Sequence, residues 1–272
     1  MKLFQRKRDI KIQGYRKQKE VYIHPKASPL KLRVLGYDNE VKIMSRHFKG
    51  EVWVQGVGNS VIIEEDVEVA GKLFIAVGYG TRPCFNCRVV IGKGTYMGSV
   101  TINLWEDSSS VLVGEDCMFS TDIDLWCTDG HALWGEDGKL RLGREVRIGK
   151  HVWVGKDVKI GKNSIIADDC VIGWGSIVAG RFEEPACVIA GVPATVRRKG
   201  IRWDRPAPSD VQENRLRDRY PDWDLLPPPP LILRPFLRLR LLYLKRAITR
   251  KEGATKERYL RKKELLEMRL NQ

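Results

Sequence analysis

Long apolar runs are missing from this chain. Nowhere in its 272 residues do about 18 apolar residues follow one another, which excludes a membrane-spanning helix. Histidine is scarce, with four in all, so few imidazoles compete for any acid–base role. A partner for the Cys84–Cys87 CxxC is also missing: there is neither a second CxxC nor a histidine pair at zinc spacing. The six cysteines (Cys84, Cys87, Cys117, Cys127, Cys170, Cys187) therefore read as free thiols used as small hydrophobes, with no metal centre. That usage fits a reducing compartment. The opening stretch MKLFQRKRDIKIQGYRKQKE is basic but has no apolar stretch of the kind a secretory signal needs, so a cytoplasmic protein is expected.

Negative charge is short overall, the net being +14, but the excess sits at the ends. Residues 1–20 hold 8 Lys/Arg against 2 Asp/Glu, and residues 197–272 hold 21 against 10. The body between them holds 19 against 22, slightly acidic. The slightly acidic body offers no argued basic face interleaved with aromatics, which argues against a nucleic-acid binder.

What is present is a beat of six. In IGKHVWVGKDVKIGKNSIIADDCVIGWGSIVAG, Ile148, Val154, Ile160, Ile166, Ile172 and Val178 stand six apart. Gly149, Gly155, Gly161, Ala167, Gly173 and Ala179 follow them directly, and Val152, Val158, Ser164, Cys170 and Ser176 stand four places after an aliphatic. Six is neither the helical period nor strand alternation. It suits a coil in which each hexad makes one short strand and one corner, with the aliphatic residue inward. Small residues behind the aliphatics would permit the corner backbone. Three hexads then close one triangular turn, and successive turns pair as parallel strands. Upstream the beat returns at Ile63, Val69 and Ile75, at Ile91 and Met97, and at Val113, Phe119 and Leu125. The phase slips between these groups, as surface insertions would make it do.

With VWVG at 152–155 and GVPATVRR at 191–198 added to the hexads, the chain resembles the hexapeptide-repeat acyltransferases. DGH at 129–131 ahead of VWVG, and Trp203-Asp204-Arg205 behind GVPA, look like the bacterial polysaccharide or sugar O-acetyltransferases within them. The resemblance implies an all-β, left-handed parallel β-helix over residues 50–204. Residues 1–49 would be a basic lead-in with the first irregular coils. A proline-rich linker would fill 205–230, and a basic, partly helical extension 231–272. It also implies acetyl-CoA as acyl donor, a sugar hydroxyl as acceptor, and a homotrimer whose groove between neighbouring chains takes the donor.

Acyl transfer to a hydroxyl needs a base and donors for the developing oxyanion. His131 lies in the stretch that breaks the hexad phase between Leu125 and Ile148, so it is expected on a loop, and it is the candidate general base. Asp129 is the first candidate to orient its ring, with Asp122 and Asp124 behind it. His151 reads as a surface residue on a corner. By matching motifs, Trp153 would flank the donor's pantetheine arm, Gly155, Lys156 and Ala179 would line the groove, and Arg198 would meet the phosphates. Trp174 also falls on the groove, where a small residue is usual, and Thr195 stands where a cation is common. The leucine-rich basic segment from 237 to 246 offers a peripheral contact with an anionic membrane surface.

Three other functions remain beside this one. The same fold could acylate a sugar-nucleotide amine or an antibiotic hydroxyl. A solenoid carbonic anhydrase would need three histidine ligands that the lattice does not supply. A non-catalytic scaffold would leave the DGH loop without a purpose.

Overall fold

The computed structural model of the protein describes residues 8–14 and 16–208, together with Leu260, Lys263 and Glu267. Nearly all of the expected linker and basic extension, the membrane-contact segment included, lies outside the described residues. The chain divides into two compact units after Trp203, and the first of them holds the strands and the candidate site.

Short strands form three sheets, and the chain visits them in rotation. The strand Leu73–Val77 lies in the first sheet, Arg88–Ile91 in the second and Tyr96–Met97 in the third; Val100–Leu104 then returns to the first. Among the described strands every pairing along the coil axis is parallel. The hairpin of Val188–Gly191 with Ala194–Arg198, which closes the third sheet, is antiparallel. No helix interrupts the coils between Arg8 and Trp203 among the described residues. A parallel β-solenoid with three faces results, as the six-beat requires.

Register shows why the aliphatics recur. Ile63, Ile91, Val113, Ile148 and Ile166 stack in the second sheet. Val69, Met97, Phe119, Val154 and Ile172 stack in the third, and Ile75, Ile102, Leu125, Ile160 and Val178 in the first. All of them are buried. The four-place residues Val152, Val158, Ser164, Cys170 and Ser176 are buried as well. Each inward column thus packs like on like, with one side chain per coil filling the axis. The ladders also reach further toward the N-terminus than the hexads suggest. Arg8–Gln13 pairs with Leu30–Tyr37, and Glu20–Ile23 with Glu40–Ile43, in the first and second sheets.

The corners differ from expectation. The small residue behind each aliphatic does not carry the unusual backbone. Left-handed φ falls two places later, at His151, Asp157, Asn163, Asp169 and Gly175, between 52° and 64°. Asn, Asp and His are the non-glycine residues most tolerant of that region, and this beat is built from them. Gly114, Gly149, Gly155 and Gly173 serve closeness instead. A Cβ on Gly149 would lie 2.7 Å from the backbone N of Asp168, and one on Gly114 would lie 2.5 Å from the Gly149 carbonyl oxygen. Backbone of one coil rests on backbone of the next there, and a side chain has no room.

The long insertions between hexads all leave at one corner. Residues 78–87, 105–109 and 127–144 each follow a strand of the first sheet and precede one of the second. Register on either side is unbroken: Ile102 pairs with Leu125 and Val113 with Ile148 across the longest of them.

Candidate active site

The longest insertion carries His131, and it is an ordered hairpin more than a slack loop. Trp134 and Leu140 bridge antiparallel, Arg141 N–H donates to the Leu133 carbonyl at 2.7 Å, and Gly135 N–H donates to the Lys139 carbonyl at 3.0 Å. Asp137-Gly138 supplies the tip: Gly138 takes φ 71°, and Asp137 Oδ1 accepts the Lys139 N–H at 3.1 Å. At the base Thr128 Oγ1 accepts the Gly130 N–H at 2.9 Å, and Glu106 from the preceding insertion accepts the Gly143 N–H at 2.5 Å. His131 itself is exposed, and among the described residues no group hydrogen-bonds its ring. The imidazole is thus left open to solvent.

The carboxylates suggested as its orienting partner all face lysines of the next coil. Asp129 pairs with Lys162 Nζ, Asp124 with Lys159 Nζ at 3.0 Å, and Asp122 with Lys156 Nζ at 3.7 Å. Burial works against the charge on Lys159, but Asp124 and Asp157 outweigh it and raise its pKa. Lys162 also donates to the Arg141 carbonyl at 2.5 Å, so one ammonium ties the two arms of the hairpin together. Asp129 thus serves the loop in the free chain. An orienting role would require it to share its charge between Lys162 and the imidazole.

The residues assigned to the donor groove gather elsewhere. Trp153 lies half-buried on the outward side of the third sheet, between Met118 and Val171. Gly155 follows it, and a Cβ there would collide with Trp174 Cδ1, so the Trp174 indole lies directly over that glycine. Trp174 is 75% exposed, a bulky apolar ring left in solvent at the corner between the third and first sheets. Lys156 stands exposed at the same corner, and Arg198 ends the closing hairpin. Ala179, by contrast, follows the first-sheet strand Ile177–Val178 and sits at the corner from which the His131 hairpin leaves. Within one chain the first sheet separates His131, Asp129 and Ala179 from Gly155, Lys156 and Trp174.

His151 is more than a surface residue. It holds a left-handed corner, pairs through Nδ1 with Asp169 Oδ1 at 2.8 Å, and stacks on Trp203 with centroids 4.1 Å apart and planes 7° from parallel. Trp203 Nε1 donates to the His151 carbonyl at 2.9 Å, and Trp153 lies 6.0 Å from the same indole. Trp203 is only 8% exposed, so the chain's exit from the solenoid is seated on this coil. Its neighbours in the corner beat, Asp157, Asn163 and Asp169, are the signal that position 151 belongs to the lattice.

The CxxC thiols turn inward. Cys87 Sγ lies 3.1 Å from the Glu106 carbonyl oxygen and Cys84 Sγ 3.7 Å from that of Leu104. The neighbouring Cys87 and burial hold the Cys84 thiol well above its ordinary range, and burial pushes Cys127 up to about 12. All six cysteines are buried, and none is in a disulfide. Among the described residues no group of three His, Cys, Asp or Glu side chains is placed to hold a metal.

The hexad lattice itself finds a match in residues 151–181. They fit the family model described as bacterial transferase hexapeptide (six repeats), and the resemblance read from the hexads holds. A polysialic acid O-acetyltransferase of Escherichia coli O1:K1 / APEC is 31% identical over 120 residues, which span 43% of this chain and 38% of that protein. An "uncharacterized 24.8 kDa protein in cps region" of Klebsiella pneumoniae is 34% identical over 138 residues, 51% of this chain and 60% of that one. The matches thus span 38% and 60% of these curated relatives. Among solved structures, the polysialic acid O-acetyltransferase OatWY superposes with a TM-score of 0.60 at 25% identity, over 79% of this chain and 98% of that one.

Proposed function

We propose that the protein is an acetyl-CoA-dependent O-acetyltransferase that modifies a sugar hydroxyl in bacterial surface polysaccharide synthesis. The observation that carries this reading is the ordered hairpin that holds an open imidazole off an otherwise continuous lattice, in a chain similar to polysialic acid O-acetyltransferases. Neutral His131 takes the proton of the acceptor hydroxyl as its oxygen attacks the thioester carbonyl. The same imidazolium returns the proton to the departing thiolate, so the base is regenerated within one turnover. Trp153 and the Gly155–Trp174 corner would flank the thin arm of the donor, with Arg198 toward its phosphates.

The split between the His131 corner and the Trp174 corner supports a homotrimer. Two groups on opposite edges of one face meet only if one chain supplies the base and its neighbour the groove. The resemblance assigns the coil a left hand and the chain's end a partly helical, basic extension. A cytoplasmic protein that touches the inner face of the membrane through that extension fits a lipid-linked glycan as acceptor.

Calorimetric titration with acetyl-CoA tests the reading. Wild type and His131→Ala should bind alike, and Trp153→Ala more weakly. Absence of binding to wild type would overturn the acyltransferase and leave a scaffold.

A further inference from the structure

The corner that releases the His131 hairpin carries a ladder of aromatic rings. Tyr79 stacks on Trp105 with centroids 4.5 Å apart and planes 27° from parallel. Trp105 meets Trp126 edge-on at 4.9 Å. The three come from successive coils: Tyr79 and Trp105 open the first two insertions, and Trp126 ends the strand Ile123–Trp126 just before the third. The ladder therefore runs along the solenoid axis and arrives at the hairpin. A Cβ on Gly130 would lie 3.4 Å from the Trp105 ring, so the indole supports the residue next to His131.

A purely structural stack does not account for these rings. Tyr79, at the far end, is 61% exposed, and Trp134, three residues beyond His131, is 60% exposed. Trp105 Nε1 is buried with no hydrogen-bond partner among the described residues. An exposed ring leading onto two half-buried ones beside His131 matches the chemistry of a sugar chain. A pyranose presents one apolar C–H face to an aromatic plane and keeps its hydroxyl rim in water or on polar groups.

Charge narrows the sugar. The three insertions carry Arg82, Lys139, Arg141 and Arg144 against Glu106, Asp107, Asp129, Glu136 and Asp137, and Arg141 is already paired with Asp137 at 2.9 Å. A polyanionic glycan would require a cationic track beside the base, and Lys162, already paired with Asp129, brings this corner only to five cations against five anions.

We propose that Tyr79, Trp105 and Trp126 form an acceptor platform that stacks the rings of an uncharged glycan segment and leads one of its hydroxyls to His131. The platform rests on the acyl-transfer reading and names its substrate class: a neutral glycan, where the names of the Escherichia coli relative and of OatWY specify polysialic acid.

The test titrates the full-length protein, in the presence of acetyl-CoA, with neutral hexasaccharides of gluco, galacto and manno configuration and with a sialic acid hexamer. Tryptophan fluorescence and acetyl transfer are read together. A neutral hexamer should shift the fluorescence and accept acetyl groups better than the sialic acid hexamer. Tyr79→Ala should raise the KM for that acceptor about ten-fold, with kcat, acetyl-CoA affinity and oligomeric state unchanged. Preference for the sialic acid hexamer overturns the proposal. So does failure of every neutral hexamer while acetyl-CoA still binds, which leaves the acyl-transfer reading standing. A Tyr79→Ala variant that changes oligomeric state with KM unmoved assigns the rings to a subunit contact instead. Wild type that does not bind acetyl-CoA removes both readings.

Discussion

Two corners flank the first sheet, and the same chain builds them in opposite ways. Between the third and first sheets the turns are short: Asp122, Asp157 and Gly175 take left-handed φ near 60° in successive coils, and Lys156 and Trp174 project there without any insertion. Between the first and second sheets the chain leaves three times, for as many as eighteen residues (127–144), and returns to the same register. The faces cannot do this. Along a strand every inward residue stacks on one above and one below, so one added residue would turn a whole column out of the core. At a corner, added residues need only leave and re-enter. Function can therefore change at the insertions while the columns stay as they are.

The sharpest way to break this contrast is to remove the one group on the insertions read as chemical. His131→Ala should cut acetyl transfer by about 10²–10⁴-fold and leave the melting temperature where it was. A large loss of stability would instead make the hairpin part of the lattice. The opposite experiment attacks a column. Phe119, fully buried between Met97 and Val154, should cost about 3–5 kcal/mol on truncation to alanine, read as a shifted urea midpoint. A neutral outcome there would mean that coils do not share one core.

A smaller effect sharpens the role of Asp129. Asp129→Asn and Lys162→Met, separately and together, form a double-mutant cycle. If the pair only ties the hairpin, each single change should lower transfer alike and the double should be no worse. Stability should move by less than about 1 kcal/mol in each. A larger kcat loss in Asp129→Asn than in Lys162→Met would show that the carboxylate also orients the imidazole. The smallest expected signal is chemical. Native protein should react with a thiol reagent at almost none of its six cysteines, and at all six once unfolded, because every thiol is buried. Rapid native reaction at Cys84 or Cys87 would show that the insertion corner opens.

Much of the lattice is legible in the sequence, for a stated reason. The inward columns follow from the hexads because a repeated backbone shape demands a repeated side chain, and every aliphatic read that way is buried. The His131 hairpin is legible as a break in phase, although its order is not. The corner rule reads wrongly from sequence. Glycine behind the aliphatic suggests a left-handed turn, whereas that position needs smallness against the next coil, and Asp157, Asn163 and Asp169 bear the turn. The first coils escape the hexad pattern because their strands are longer and off the six-beat: Leu30–Tyr37 and Gly50–Val57 have eight residues each.

By itself, then, the sequence determined the period, the residues of the core, the place where the lattice is interrupted and the single imidazole on that interruption. These are properties of one stretch of chain and its repeat. Tertiary structure decided what lies beside what across coils. Asp129 faces Lys162, thirty-three positions away; Tyr79 lies on Trp105; Trp203 seats on His151; and the first sheet stands between the base and the tryptophan corner. The physical reason is that insertions of unequal length bring residues at unequal separations into one column. The distance along the chain then no longer tells which neighbours meet.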